Sequence, residues 1–173
     1  MKIINSTIRD TEAIFNLYDE AVAYQKIKFN KHWQAFDTVM VQTEIQENRQ
    51  WKIIDDDENI HCIFATAYSD PFIWEEKDKD PSIYLHRIVT NPLYRGKNYV
   101  MEIIAWAKVF GRENNKKFIR MDTWGDNEKL IDYYKKCGFI FLGITTPSQT
   151  KALPKHYSTI SLSLFEIEIQ GAD

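Results

Sequence analysis

The sequence has few cysteines, little net charge and no long apolar run. Its two cysteines, Cys62 and Cys137, lie far apart and fit no metal-ligand spacing, so we expect neither a disulfide framework nor a metal centre. The expected setting is a reduced cytoplasm. A net charge of −3 argues against a nucleic-acid partner, which a basic domain would bind. No run is long enough to span a membrane, and the N-terminal stretch is too short and polar for a signal peptide.

The sequence does have enough apolar material for one core. Hydrophobic residues make up 44% and aromatic residues 14% of 173 positions, which predicts a single domain over residues 1–173. Periodicity predicts helices at 11–28, from 37 to 46–49, from 100 to 111–115 and at 127–137, with Asp10 and Asp37 as N-caps of the first two. Strands are predicted at 2–9, 51–54, 60–68, 82–90, 117–123, 139–145 and 157–169, with irregular connections at 69–81 and 147–156.

The most informative stretch joins the strand at 82–90 to the helix after it. Pro92 stops the strand because proline donates no ladder hydrogen bond, and the basic turn Arg95-Gly96-Lys97 follows. Strand, basic turn and helix in this order place free backbone N–H groups at a positive helix end, which attracts phosphate. The alternative is a plain strand–turn–helix with an exposed basic turn, since a lone glycine motif is a weak signal.

A second motif begins at Asn127 and ends at Gly138-Phe139, with Tyr134 between them. Residues 85–97 resemble the fourth strand and pyrophosphate loop of the GCN5-related N-acetyltransferase (GNAT) family, and residues 127–139 resemble that family's Asn…Tyr…Gly-Phe signature. The two motifs also stand in the family's order. The resemblance implies the GNAT-like acyl-CoA N-acyltransferase fold, an α/β structure with a mixed, mostly antiparallel central sheet flanked by helices.

The resemblance further implies that acetyl-CoA is the cosubstrate. Backbone groups of the strand would pair with its pantetheine arm, and N–H groups of the basic turn would surround its pyrophosphate. Asn98 and Val100 depart from the small residues of the family motif. Asparagine tolerates positive φ at a cost of about 1 kcal/mol or less, whereas crowding at Val100 would cost about 1–3 kcal/mol. The implied cofactor-binding residues are Ile88, Val89, Thr90, Arg95, Gly96, Lys97, Asn98, Tyr99, Val100, Asn127 and Tyr134.

The same resemblance gives Tyr134 a catalytic role, protonating the coenzyme A thiolate as it leaves. Helical spacing alone favours the alternative that Tyr134 is a core aromatic, and Tyr133 is predicted to be core. Asn127 is expected to cap its helix and to bond across the strands or to the cofactor. A backbone N–H near Val89 would polarise the thioester carbonyl.

Three histidines are candidates for the base that deprotonates the amine. His86 is the catalytic candidate, because the ordinary pKa of an imidazole suits the task. His32 and His156 lie in predicted loops that could border the acceptor site, and a packing role is the alternative for His86. Relatives with a base on this strand often place it an even number of residues before the valine, which puts His86 on the opposite face. That parity selects Ile83, Leu85 and Arg87.

The sequence thus predicts transfer of an acetyl group from acetyl-CoA to a primary amine of a small molecule or peptide, by direct attack on the thioester. The acidic segment at 69–81 could recruit a cationic amine, although such a charge run is usually a solvated face. Two other functions stay open: a degenerate, non-catalytic acyl-CoA binder, motivated by Asn98 and Val100, and an interaction module without the ligand. A homodimer is a further expectation from the family.

Overall fold

The computed structural model describes residues 1–29, 31–125, 127–147 and 161–169. Its strands are β1 (Lys2–Asn5), β2 (Gln50–Ile54), β3 (Ile60–Ala67), β4 (Ser82–Thr90), β5 (Phe118–Trp124), β6 (Ile140–Thr145) and β7 (Leu162–Glu168). Its α-helices are α1 (Thr11–Lys28), α2 (Thr38–Gln46), α3 (Pro71–Trp74), α4 (Tyr99–Glu113) and α5 (Glu128–Lys136). Short 3-10 helices lie at Ile8–Asp10, Glu75–Lys79 and Pro92–Tyr94.

The seven strands form one sheet with the order β1-β2-β3-β4-β5-β7-β6. The pairs β1–β2, β2–β3, β5–β7 and β6–β7 are antiparallel, and β4–β5 is parallel. The predicted α/β class with a mixed, mostly antiparallel sheet is therefore confirmed. The second strand of the predicted hairpin, β3, lies inside the sheet, as expected for a strand that is apolar on both faces.

Contacts divide the chain into two compact units. Unit 1 comprises Met1–Thr66 and Arg87–Tyr99, and unit 2 comprises Ala67–His86 and Val100–Asp173. Strand β4 therefore contributes its second half to unit 1 and its first half to unit 2. The single domain over residues 1–173 stays a prediction.

The core of unit 1 lies under the apolar faces of α1 and α2. Asp37 is the N-cap of α2 as predicted, because its carboxylate accepts a hydrogen bond from the Met40 N–H at 2.8 Å. Asp10 occupies the N-cap position of α1 as predicted, but its side chain makes no capping bond: its carboxylate accepts from the Thr7 N–H and from Lys52, which fixes the 3-10 turn ahead of α1. The buried core side chains are Ile14, Leu17, Tyr18, Val41, Ile45, Ile63 and Val89.

The connection at 69–81, which we predicted to be irregular, is helical and belongs to unit 2. Helix α3 and the 3-10 helix at Glu75–Lys79 occupy it. Ile73 and Trp74 pack against Tyr84 and Leu162. Turns this short contain no repeating apolar face, so periodicity could not detect them. Helical spacing puts Val100, Ile103, Ile104, Ala107 and Phe110 on one face of α4; the first four are buried, and Phe110 is half-buried.

Helix α5 begins and ends as its sequence predicts. The side chain of Asn127 accepts a hydrogen bond from the backbone N–H three residues on, at 3.1 Å, which makes it the N-cap. Gly138 has a φ of +98°, its N–H bonds to the Lys135 carbonyl, and the Phe139 N–H bonds to the Tyr134 carbonyl. This pair of bonds is a Schellman motif, which needs the left-handed residue that glycine provides.

Some predictions fall on the part of the chain that is not described. His156, most of the predicted 147–156 connection and the 157–160 start of the last predicted strand lie outside the described residues. Across the described ranges, no helix combines the length and apolar character that crossing a membrane requires.

Candidate functional site

In unit 1 the basic turn leads directly into α4. Residues 95–98 are exposed, and the helix begins at Tyr99. Gly96 has a φ of +81° and Asn98 a φ of +54°, so both are left-handed. The expectation that asparagine accepts positive φ here is confirmed. A left-handed residue next to a right-handed one turns successive N–H groups toward one side, and left-handed residues such as Gly96 and Asn98 are one half of such an anion-binding nest.

Gly96 and Val100 differ in how closely other atoms surround them. A Cβ placed on Gly96 would meet no atom within 4 Å, so the glycine serves the backbone conformation and relieves no crowding. Val100 is 7% exposed in the first turn of α4, and burial of its two methyl groups stabilises the folded state. Crowding of Val100 against a cofactor stays a prediction.

His61 supports the basic turn, and the sequence analysis did not identify it. Its imidazole, 9% exposed, stacks on Tyr94 with ring centroids 3.7 Å apart. Its Nδ1 lies 2.7 Å from the Tyr99 hydroxyl, and its Nε2 lies 3.0 Å from Asp55 Oδ2. Because Tyr94 and Tyr99 flank residues 95–98, His61 holds both ends of the segment.

The acidic turn at 55–59, which we expected to be only a solvated loop tip, bonds to His61 and determines which ring nitrogen of the neutral imidazole carries the proton. The Asp55 carboxylate accepts hydrogen bonds from the backbone of Asp57 and from the backbone and side chain of Asn59. The bonds from Asn59, and next the bond from His61, hold the pKa of Asp55 well below its ordinary value. An ionised Asp55 accepts the Nε2 proton of His61, which leaves Nδ1 to accept the Tyr99 O–H when the ring is neutral.

Arg87 interrupts β4 within unit 1. Its φ is +48°, which is unusual for a non-glycine residue inside a strand and is typical of a bulge. Its guanidinium forms a buried ion pair with Glu44, donates to the Tyr18 hydroxyl at 3.2 Å and lies over the Phe36 ring at 5.4 Å. A bulge leaves a backbone group outside the regular ladder, which is common beside active sites.

The irregular backbone also removes the basis of the parity argument about His86. That argument assumed strict alternation of side chains from Ile83 to Val89, and the left-handed conformation of Arg87 lies between them. Arg87 itself, one of the positions that parity selected, is engaged with Glu44. The side chain of His86 lies beside two carboxylates.

The side chains of Asp70, His86 and Asp122 lie together in unit 2, and we call them the carboxylate–imidazole cluster (Asp70, His86 and Asp122). Each offers one nitrogen or oxygen atom, and these atoms all lie within 4.8 Å of one another, an arrangement that can hold a cation. His86 Nε2 is 3.7 Å from Asp70 Oδ2, and the Asp70 side chain is 10% exposed. Burial first, and next the charges of Asp122 and Asp78, raise the pKa of Asp70 to about 7.

Hydrogen bonds fix the segment that carries Asp70. The Asp78 carboxylate accepts from the Asp70 backbone N–H at 2.7 Å and from the Tyr84 hydroxyl at 2.6 Å. Arg120, 1% exposed, donates to Asp80, Glu166 and the Lys77 carbonyl. The predicted acidic face at 69–81 is therefore mixed: some acids are exposed, whereas these are bonded internally.

Tyr134 lies in an aromatic group of unit 2. It is 9% exposed, and its ring centroid is 6.0 Å from that of Phe139 and 5.3 Å from that of Phe165. Tyr133, which we predicted to be core, is 37% exposed, so that prediction is wrong. The two tyrosines are one position apart on α5, and the face that carries Tyr134 is the buried one.

The remaining candidates have unremarkable surroundings. His32 Nδ1 lies 2.8 Å from the Trp33 carbonyl, which accepts its proton. The two cysteines are free and buried, as expected for small apolar residues. Burial raises the pKa of the Cys137 thiol and raises that of Cys62 to about 12, so neither is activated as a nucleophile.

Sequence reasoning missed His61, Asp70 and Asp122. For Asp122 a signal exists, because a single acid stands inside an otherwise apolar and basic strand, β5. Asp70 and His61 carried no such signal, since their neighbours come from segments distant in sequence.

Comparison with known proteins agrees with the two motifs and the sheet. The model of the "Acetyltransferase (GNAT) family" matches residues 17–139. The curated "Uncharacterized N-acetyltransferase YesJ" of Bacillus subtilis (strain 168) is 28% identical over 79 residues. That match spans 46% of this chain and 44% of the relative, less than half of either.

Solved structures share the fold along nearly the whole chain. A GNAT-family acetyltransferase from Listeria monocytogenes 4b F2365 superposes with a TM-score of 0.77 at 21% identity, covering 96% of this chain and 94% of that one. The yncA structure from Salmonella typhimurium, solved with its cofactor acetyl-CoA, gives 0.69 at 12% identity, covering 100% and 96%. Acetyl-CoA is the acetyl donor of this family. Since the family model spans well over half of the sequence, the chain belongs to the GNAT family of N-acetyltransferases.

Proposed function

We propose that this protein transfers the acetyl group of acetyl-CoA to a primary amine. The observation that carries the proposal is the backbone of residues 95–98, where Gly96 and Asn98 are left-handed immediately before α4 and two basic side chains are exposed. N–H groups of such a turn and the positive end of a 15-residue helix favour a pyrophosphate.

The residues proposed to hold the cosubstrate are those that the family resemblance implied. Backbone groups of Ile88, Val89 and Thr90 would hydrogen-bond the pantetheine amides as a neighbouring strand does. The other residues proposed to bind the cosubstrate belong to unit 2 and are Val100, Asn127 and Tyr134. The pyrophosphate would be held by Arg95, Gly96, Lys97, Asn98 and Tyr99.

The proposed reaction is direct attack of a neutral amine on the thioester carbonyl. A backbone N–H near Val89 would stabilise the negative charge that develops on the carbonyl oxygen. The left-handed φ of Arg87 supports this, because that conformation is typical of a bulge and a bulge takes a backbone group out of the ladder. As the C–S bond breaks, Tyr134 would give its phenol proton to the coenzyme A thiolate.

The rival proposal of a degenerate, non-catalytic acyl-CoA binder rests on Asn98 and Val100. Asn98 already has the conformation that a glycine would supply, at a cost of about 1 kcal/mol or less. We therefore expect Asn98→Gly to increase coenzyme A affinity by less than about fivefold. A gain of a hundredfold would favour the degenerate binder.

Calorimetric titration with acetyl-CoA and with coenzyme A tests the proposal, and the chain offers a matched pair of glycines. Gly96 and Gly143 both have positive φ, and a Cβ would meet no atom within 4 Å at either one. Gly96→Ala and Gly143→Ala therefore both strain the backbone without a clash, and Gly143, whose φ of +116° lies farther from the left-handed region than the +81° of Gly96, is the more strained of the two. We expect only Gly96→Ala to weaken coenzyme A binding, by at least tenfold. Equal affinities for the two variants, or no binding to the unsubstituted protein, would contradict the proposal.

A cytoplasmic location and a homodimeric assembly belong to the same proposal. The two buried free thiols support a reducing compartment. The homodimer is supported by the family resemblance.

A further inference from the structure

We propose that the carboxylate–imidazole cluster (Asp70, His86 and Asp122) binds a primary ammonium group, and that this group is the acceptor nitrogen of the acetyl transfer. The inference rests on the proposed function and deepens it, because it names the acceptor class: alkyl amines that are protonated near neutral pH. It also gives the missing base an identity, Asp70.

The three side chains come from three elements and converge on one point. Asp70 immediately precedes α3, His86 lies on β4, and Asp122 lies on β5. One ligand atom from each lies within 4.8 Å of the other two. A primary ammonium has three N–H donors, so three converging acceptors match its hydrogen-bonding capacity.

The register of the sheet explains why His86 and Asp122 meet. Strands β4 and β5 are parallel, and Tyr84 is paired with Arg120. Tyr84 and Arg120 are the last of the three paired positions, and His86 and Asp122 each lie two residues beyond them, so both side chains leave their strands on the side of the pleat that Tyr84 and Arg120 occupy. Asp70 reaches them from the connection that the Asp78 carboxylate fixes through the Asp70 N–H.

Burial makes the cluster favour a cation. The side chains of Asp70 and His86 are 10% and 21% exposed. Two carboxylates that share a poorly hydrated site repel each other, and a positive charge between them removes that cost. Among the described residues, Asp70 Oδ2 accepts no hydrogen bond although it is buried, and an ammonium N–H would supply one.

The chemistry of the cluster suits proton removal. The pKa of Asp70, raised to about 7 by burial, Asp122 and Asp78, lies near the pH at which a base must exchange protons. His86 is the more exposed partner beside Asp70 Oδ2, so it offers the proton a way to solvent.

The steps balance as follows. The ammonium gives one proton to Asp70, and the neutral nitrogen forms a bond to the thioester carbonyl carbon. The C–S bond then breaks, and the thiolate takes the Tyr134 proton. The nitrogen loses its second proton, which restores the Tyr134 phenol. Overall, an ammonium and acetyl-CoA give an acetamide, the free thiol of coenzyme A and one proton, which Asp70 releases to solvent.

A divalent metal ion is the competing occupant, since two carboxylates and an imidazole also suit transition metals. A spread of up to 4.8 Å fits hydrogen bonds of about 2.9 Å around one nitrogen. Metal bonds of about 2.1 Å would draw the three atoms closer together. The limit of 4.8 Å admits the ammonium, and the 3.7 Å between His86 Nε2 and Asp70 Oδ2 lies between the two cases, so metal binding is measured directly as a rival outcome.

The test uses the full chain and measures coenzyme A release with a thiol reagent at saturating acetyl-CoA. The probes are butylamine, 1,4-diaminobutane and spermidine, which are cationic at pH 7.5, and aniline, which is neutral there. The variants are Asp70→Asn, His86→Gln and Asp122→Asn. Asp132→Asn is the control, because Asp132 is an exposed acid of unit 2 on α5 and removes the same charge. Acetyl-CoA binding to every protein is measured separately by calorimetry.

We expect the cationic amines to be acetylated and aniline not. Asp122→Asn should raise the KM for the amine at least tenfold with kcat nearly kept. Asp70→Asn should lower kcat at least tenfold and remove the acidic limb of the kcat profile, which a merely structural role would not do. His86→Gln should give a smaller loss of kcat. Asp132→Asn should match the unsubstituted protein, and acetyl-CoA affinity should be unchanged throughout.

Two results overturn the inference while the proposed function stands: cluster variants that behave like Asp132→Asn, or turnover of aniline with no turnover of the cationic probes. It is also overturned if acetyl-CoA binds but no probe amine is acetylated. Tight binding of Zn²⁺ alone that the cluster variants abolish, and that butylamine does not displace, would assign the cluster to a metal. Failure of acetyl-CoA itself to bind would remove the proposed function first, so the two failures are distinguishable.

Discussion

The basic turn of unit 1 and the carboxylate–imidazole cluster of unit 2 carry charge in opposite ways. The turn exposes Arg95 and Lys97 on a backbone whose conformation is set by Gly96 and Asn98. The acids of the cluster are shielded from solvent, and the geometry of the cluster depends on side chains from three separate segments of the chain. An exposed cation remains hydrated and carries little desolvation penalty, so the turn is stable without a bound anion. Buried carboxylates are costly, so the cluster depends on a partner or a proton.

The prediction with the largest expected effect compares a buried and an exposed arginine of unit 1. It tests whether burial decides how much a charged side chain contributes to the free energy of unfolding. Arg87→Ala removes one partner of the buried pair with Glu44, whose side chain is 8% exposed. The substitution leaves the buried Glu44 carboxylate with Arg49 alone, 3.8 Å away, and should lower the free energy of unfolding by about 3 kcal/mol, the low end for breaking a buried pair. Arg95→Ala, an exposed arginine of the same unit, should change it by less than about 1 kcal/mol. Urea denaturation measures both, and similar losses would remove the distinction.

The second prediction uses pH to sharpen the comparison. The pKa of Asp70 is about 7 when folded, against a usual value of 3.8, so the folded state binds its proton more tightly than the unfolded state. The associated stability is fully present below pH 4 and is lost as the pH rises through 7. Asp70→Asn, which cannot ionise, should therefore be more stable than the unsubstituted protein at pH 8, by at most about 4 kcal/mol.

At pH 4 the two proteins should have similar stability. His86, Asp122 and Asp78 stay in place in both, so the difference isolates Asp70, and thermal unfolding at several pH values measures it. Asp132→Asn, which alters an exposed acid, should show no such pH dependence. A benefit of Asp70→Asn that is constant from pH 4 to 8 would contradict the raised pKa.

The third prediction separates a buried tyrosine from an exposed one on the same helix. Tyr134→Phe should lower kcat by about a hundredfold, because general acid catalysis typically contributes that much or more. Acetyl-CoA affinity should be kept, since the ring and its contacts with Phe139 and Phe165 remain. Tyr133→Phe, on the exposed face, should leave both quantities unchanged. Steady-state kinetics together with calorimetry would contradict the role of Tyr134 if binding and kcat fell equally.

The smallest effect concerns the support of the basic turn. His61→Gln removes the stacking on Tyr94 and disturbs the bonds to Tyr99 and Asp55. Coenzyme A should then bind about tenfold more weakly, which is about 1.4 kcal/mol, because the turn must be ordered on binding. His32→Gln changes a histidine of the same unit whose ring bonds to the adjacent Trp33 carbonyl and should have no such effect. Calorimetric titration measures both variants.

The two regions also differ in how far the sequence could predict them. The basic turn is contiguous, and its demands on the backbone can be deduced from residue types: glycine and asparagine accept positive φ, and Pro92 ends a strand. The same local logic predicted the caps at Asp37 and Asn127 and the C-cap at Gly138. Periodicity predicted the buried faces of α1 and α4.

Predictions failed where long-range contacts decide the outcome. Asp70 and Asp122 are 52 positions apart, and only the register of β4 with β5 and the turns at α3 bring them to His86. The parity argument on β4 lost its premise because one left-handed residue, Arg87, lies within the strand, and nothing in the arginine side chain predicts that conformation. Tyr133 and Tyr134 are chemically alike, so their order of burial depends on how α5 is rotated against its neighbours.

Each compact unit happens to contain one buried thiol, Cys62 in unit 1 and Cys137 in unit 2. Both react slowly while they are covered, because burial raises their pKa values and leaves little thiolate. Labelling with a thiol reagent during gradual denaturation therefore gives two natural reporters, read out by mass spectrometry of the two peptides. Simultaneous labelling would indicate that the chain unfolds as one cooperative body, and separate labelling would give each unit its own opening free energy without a single engineered probe.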